Sequence, residues 1–80
     1  MTGPRRLAEP CRVEVETDGS GLPGRVGGAR VESVREQWLV EDRWWTGRPL
    51  RRRYFELVDS HGRDLVVFRD LERRRWFTQR

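Results

Sequence analysis

Apolar and polar residues alternate in short runs along this chain, and glycine, proline and aspartate divide the runs. Arg12-Val13-Glu14-Val15-Glu16 has the period of two that marks a half-buried strand. Thr17-Asp18-Gly19-Ser20-Gly21 is turn chemistry, and Leu22 to Val26 forms a short return strand that Pro23 confines to an edge. Val31 to Val40 is the longest strand candidate. Strict alternation does not unite Val31 with Val34, Trp38 and Val40, so a bulge or bend is expected near Ser33. Val31, Val34 and Trp38 also fit a helical spacing, but β-branched enrichment and strand-like neighbours favour the strand.

Glu41 to Pro49 reads as a loop or turn containing Trp44 and Trp45. Leu50 to Val58 is a further strand, Asp59-Ser60-His61-Gly62 a hairpin turn, and Asp64 to Arg69 the returning strand. Leu65-Val66-Val67-Phe68 is apolar on both faces, which predicts a central strand covered on both sides. Glu72-Arg73-Arg74 turns the chain into a last strand, Arg75 to Gln79. The pattern predicts an all-β fold, a small antiparallel meander of about five or six strands curled into a partly open barrel. Residues 10–80 form one small domain, and Met1 to Glu9 is expected to fray.

Composition narrows the chemistry. A chain of eighty residues buries only about 60–65% of its unfolded surface, so the stability margin is thin and the aromatic side chains must supply much of the core. One cysteine, Cys11, and one histidine, His61, assemble neither a disulfide framework nor a zinc site; no metal or cofactor is expected. The first ten residues lack the apolar run of a signal peptide, and no stretch is long and apolar enough for a membrane span. The expectation is a cytoplasmic protein with no membrane partner. All seventeen basic residues are arginine, against thirteen acidic ones, for a net charge of +4. Arginine binds carboxylates and phosphates bidentately and stacks on rings, so nucleic acid is permitted without being required.

The densest chemistry lies in WLVEDRWWTGRPLRRRY, Trp38 to Tyr54. Trp38 and Trp76 sit within strand patterns and are expected in the core. Trp44 and Trp45 are adjacent, so an extended backbone sends them to opposite sides and leaves one as a candidate recognition anchor. In the run Arg51-Arg52-Arg53, two arginines share a face. They serve either as solvated, edge-protecting charges paired with Glu41, Asp42 or Glu56, or as phosphate contacts. Arg73-Arg74-Arg75 could extend that basic surface. Glu41 and Asp42, surrounded by arginines, read as salt-bridged carboxylates rather than a proton-sharing pair. His61 is a surface turn residue, Cys11 has no partner that makes it a nucleophile, and no glycine motif cradles phosphate. No enzyme and no small-molecule substrate is expected.

The pattern WLVEDRWWTGRPLRRRYFELV…HGRDLVVFRDLERRRWF resembles a small bacterial domain family, encoded alone or at the C-terminus of catalytically inactive Y-family polymerase relatives that organise a damage-induced mutasome. The shared marks are Asp42-Arg43-Trp44-Trp45, the basic run into Tyr54, Gly62-Arg63, Arg69-Asp70 and Trp76, spanning Val31 to Gln79. Relatives tend to carry glycine in the last turn, where Arg73 and Arg74 stand here. The resemblance implies an adaptor in translesion synthesis or DNA repair whose partners are polymerase-like mutasome proteins, and it brings no catalytic residues. Two readings follow. A protein-binding adaptor would use Arg43, Trp44, Trp45 and Tyr54. A module for single- or double-stranded nucleic acid would place Arg51, Arg53, Arg73 and Arg75 on phosphates.

Overall fold

The computed structural model describes residues 10–42, 47 and 49–79. Seven strands are found: β1 (Cys11–Arg12), β2 (Val15–Thr17), β3 (Pro23–Val26), β4 (Ala29–Asp42), β5 (Leu50–Asp59), β6 (Asp64–Asp70) and β7 (Arg75–Gln79). They form one antiparallel sheet in the order β1-β7-β6-β5-β4-β3-β2, curled into an open half-barrel. The all-β expectation holds. The strand read across Arg12 to Glu16 is divided in two because the chain changes partner midway. Val13 N donates to Trp76 O of β7 (3.1 Å), and Glu14 O accepts from Gly27 N beside β3 (2.8 Å). The two outermost strands of the sheet are therefore consecutive in the chain, and one short segment holds both edges.

Cross-strand partners share a face, so the register assigns every side chain. The inner face carries Phe55, Leu57 and Val67, which pack with Val26 as the buried core. Val13, Val15, Leu22, Val31, Val34, Leu65 and Trp76 lie against it. Phe68, 1% exposed, is buried separately on the opposite, outer face, as the doubly apolar pattern of β6 predicts.

Strand β4 contains two bulges, one between Val31 and Ser33 and one between Val34 and Glu36. The first matches the expectation near Ser33: the extra residue, Glu32, brings Val31 and Val34 to the same inner face. The second, at Arg35, reverses the alternation again. It pairs Gln37 with Phe55 on the inner face and Trp38 with Tyr54 on the outer one. Trp38 is consequently 39% exposed, and its expected core position is corrected by this single inserted residue. Trp76, in contrast, packs on the core as expected, its ring centroid 5.6 Å from that of Phe55.

Three turns use the same device: an aspartate whose carboxylate gathers the backbone amides that follow it. Asp18 Oδ1 accepts from Ser20 N (2.8 Å) and Leu22 N (3.0 Å). Asp59 Oδ1 accepts from His61 N (2.9 Å) and Arg63 N (3.0 Å), and Asp70 Oδ1 from Glu72 N and Arg73 N (both 3.0 Å). Asp59 has no solvent exposure, and its Oδ2 also accepts from Arg63 Nε (2.9 Å) and Nη2 (2.8 Å). The Arg63 amide foremost, with the Arg63 guanidinium and the His61 amide, holds this carboxyl below the ordinary range, against the opposing effect of burial. In the last turn, Arg74 occupies the left-handed region at φ 61°, and its N donates to Asp70 O (2.6 Å).

Two outcomes are expected. Because the pKa of Asp59 is lowered on folding, its contribution is complete above the unfolded value of about 3.9 and is lost as pH falls through the folded value. Thermal melts of Asp59→Asn should therefore start lower at neutral pH and decline less steeply on acidification below about pH 4 than those of the unmodified chain. Arg74→Gly should relieve the left-handed strain, offset in part by glycine's larger unfolded-state entropy, and raise stability by up to about 1 kcal/mol. A urea midpoint shifted upward with unchanged slope is the measurement.

Candidate functional site

On the outer face, the register aligns Trp38, Tyr54, Phe68 and Phe77 on four adjacent strands, β4 to β7. Their rings are in continuous contact. Trp38 and Tyr54 stack at 5.3 Å with 5° between planes, Tyr54 and Phe68 tilt at 5.0 Å, and Phe68 and Phe77 stack at 5.3 Å. Each such pair contributes about 0.5–1.5 kcal/mol beyond its area. Arg12 of β1, paired with Phe77, extends the row.

The rows on either side differ in charge. One holds Val40, Arg52, Asp70 and Arg75 in register, the other Glu36, Glu56, Val66 and Gln79. The guanidinium of Arg52 lies over the Phe68 ring, 4.4 Å from its centroid, and Nη1 donates to the Tyr54 hydroxyl (3.2 Å). A cation–π contact of this kind is worth about 0.5–2 kcal/mol depending on desolvation. Arg52 thus covers the buried middle of the ladder, while Trp38 leaves one end exposed. Beyond Arg30, strand β3 no longer pairs with β4, so the Trp38 end of the ladder lies at an unpaired sheet edge among the described residues.

The arginines singled out from the sequence do not make one surface. Arg51 and Arg53 share the inner face, as their alternation predicts, whereas Arg75 is in register on the outer face. Arg51 is occupied by Glu41 (Nε to Oε2, 3.1 Å) and Glu72 (Nη1 to Oε2, 3.7 Å), which bears out Glu41 as a salt-bridged carboxylate. Arg73 is exposed in the last turn, and Tyr54 is half-buried in the ladder. Arg43, Trp44 and Trp45 lie outside the described residues, as does the stretch Met1 to Glu9. His61 is exposed in its turn, and Cys11 is exposed on β1. No group of three or more metal-ligating side chains occurs among the described residues, and no helix there is long and apolar enough to cross a membrane.

Sequence reasoning missed Phe68, Phe77 and Arg52 as members of the outer surface, and Arg69 on the inner one. A signal was present for Phe68. The β5–β6 hairpin pairs residues equally distant from His61, the centre of a turn running from Asp59 to Arg63, and this sets Phe68 against Tyr54. The place of Trp38 opposite Tyr54 depends on the second bulge, for which the residues around Arg35 carry no evident mark.

The inner face holds a cavity of about 290 Å³ lined, among the described residues, by Ser20, Gly21, Leu22, Gln37, Arg53, Phe55, Arg69, Leu71 and Trp76. It lies between the floor of the sheet and the Asp18 turn. Its composition, two arginines with two aromatic rings and no acid, differs from that of the outer face. Compared with family models, with curated proteins and with solved structures, the chain finds no match.

Proposed function

We propose that this chain is a non-enzymatic binding module whose outer aromatic face docks a partner protein. The observation that carries this reading is the four-ring ladder ending in a Trp38 that is 39% exposed beside the unpaired edge of β4. Tryptophan at the centre of a contact contributes more to affinity than any other side chain type, and a ring already stacked on Tyr54 loses little freedom on binding. Glu36, Glu56, Arg52 and Arg75 along the two flanks supply charges of both signs, a pattern that orients a mixed-charge protein surface. The stretch that joins β4 to β5 brings Arg43, Trp44 and Trp45 into the same part of the chain. The cellular setting, an adaptor among polymerase-like proteins of an error-prone repair assembly, rests on the sequence resemblance over Val31 to Gln79, of which Asp42-Arg43-Trp44-Trp45 is the most specific part.

The second reading, direct binding of single- or double-stranded nucleic acid, has one observation in its favour on this face. Arg12, Arg52 and Arg75 accompany the rings, as in surfaces that stack bases and contact phosphates. The opposing row with Glu36 directly across from Glu56 repels a polyanion, and the protein-binding reading is preferred for that reason.

The expected outcome is that Trp38→Ala weakens capture of a purified polymerase-like mutasome protein by about 30-fold or more, the scale of a tryptophan hot spot. Biolayer interferometry reads that loss, and a melting temperature close to that of the unmodified chain separates it from unfolding. In parallel, fluorescence anisotropy with short DNA should show binding that disappears at physiological salt. Affinity that persists there would favour the nucleic-acid reading.

A further inference from the structure

Two arginines in register meet on the wall of the inner cavity. Arg53 and Arg69 are direct cross-strand partners on β5 and β6, so their side chains leave the same face at adjacent positions. Like charges placed this way repel. Other arginines have carboxylate partners: Arg63 is matched by Asp59, and Arg51 by Glu41 and Glu72. Arg53 and Arg69 have no carboxylate partner among the described residues, and no acid among those residues lines the cavity they share. The Nε of Arg69 is buried and meets no hydrogen-bond acceptor there. A buried donor left in this state costs about 1–3 kcal/mol, more when it is charged. Asp18, in the turn that lines one side of the cavity, spends its carboxylate on Ser20 and Leu22.

We propose that this cavity is an anion site for a phosphomonoester carrying a flat ring, with Arg53 and Arg69 holding the phosphate. Two guanidiniums without a counter-charge call for a ligand bearing close to two negative charges. A phosphomonoester has about −1.5 to −2 at pH 7, whereas a single carboxylate leaves one arginine uncompensated. Guanidinium forks match phosphate oxygens bidentately, and the idle Arg69 Nε–H supplies one of the donors required. Gln37 and the Ser20 side chain stand at the rim as further polar groups. A volume of about 290 Å³ exceeds what a bare phosphate fills, and the remaining wall is aromatic. Trp76 is the cross-strand neighbour of Arg69, and Phe55 adjoins Arg53 along β5's side of the same cavity. The site lies on the opposite side of the sheet from the aromatic ladder, so it is independent of the protein-docking reading.

The test uses the full chain and isothermal titration with inorganic phosphate, with dAMP and with deoxyadenosine, together with thermal melts at matched ionic strength. The expected result is saturable binding of dAMP, tighter than inorganic phosphate, with deoxyadenosine silent and Trp76-region emission quenched. Arg53→Gln and Arg69→Gln should each lower dAMP affinity at least 10-fold. Because both relieve repulsion, they should melt at or above the temperature of the unmodified chain in ligand-free buffer. Arg30→Gln, which removes the same charge from an exposed position on β4, should bind as before. Titration of a single-stranded oligonucleotide with and without a 5′-phosphate identifies the source. Binding that requires the terminal phosphate assigns the site to a strand end, and binding of dAMP alone assigns it to a free nucleotide. Absence of saturable dAMP binding, or equal loss in Arg30→Gln, overturns the proposal. Should Arg69→Gln fail to fold, Arg53→Gln decides alone.

Discussion

Everything in this fold depends on how residues 11–17 are bonded. A chain of eighty residues, with only Val26, Phe55, Leu57 and Val67 in its inner core, cannot leave the concave side of a curled sheet open to water. The first strand segment solves this by crossing from one edge to the other: Val13 is bonded to β7 and Glu14 to the turn beside β3. Val13 and Val15 then face the same core as Val26 and Trp76. The hydrogen bonds are ordinary in length. Their importance lies in position, because they turn a flat meander into a trough with a covered floor.

That covering also divides the molecule into two chemically distinct sides. Inside, the aliphatic core grades into a cavity with paired arginines and two rings. Outside, an aromatic row is pinned at its buried middle by Arg52 and left accessible at Trp38. Each strand contributes to both sides by simple alternation, so β5 carries Phe55 and Arg53 inward while sending Tyr54 and Arg52 outward. The arginine run that dominates the sequence is therefore three separate residues with three different settings. Arg51 is neutralised by carboxylates, Arg52 is laid on a ring, and Arg53 lacks a counter-charge among the described residues.

The strand pattern was legible because alternation, β-branching and turn residues all agree over β5 to β7. Asp18 and Asp59 were readable as turn formers, whereas the part of Asp70 in the last turn, and the habit all three share of collecting amides two to four residues ahead, required coordinates. What alternation cannot reveal is a change of phase. The inserted Arg35 moved Trp38 from the predicted core to the surface, and the switch of partner at Val13 and Glu14 split one predicted strand into two. The candidate site suffered most from this. It depends on which residues lie side by side on different strands, a matter of register, and Arg69 attracts no notice until Arg53 is found beside it.

The clasp formed by residues 11–17 also bears on how the chain assembles itself. Strands β3 to β7 join only sequence neighbours, so their pairing closes short loops and carries a small entropic cost. The β1–β7 pairing is different, since Thr78 and Cys11 stand 67 residues apart. A meander therefore forms first and the clasp arrives last, by the slowest and most costly loop closure in the molecule. By the same reasoning it is the part that opens first in the native state. Breathing of the first strand, easier than global unfolding, would uncover the part of the concave floor on which Val13 and Val15 pack.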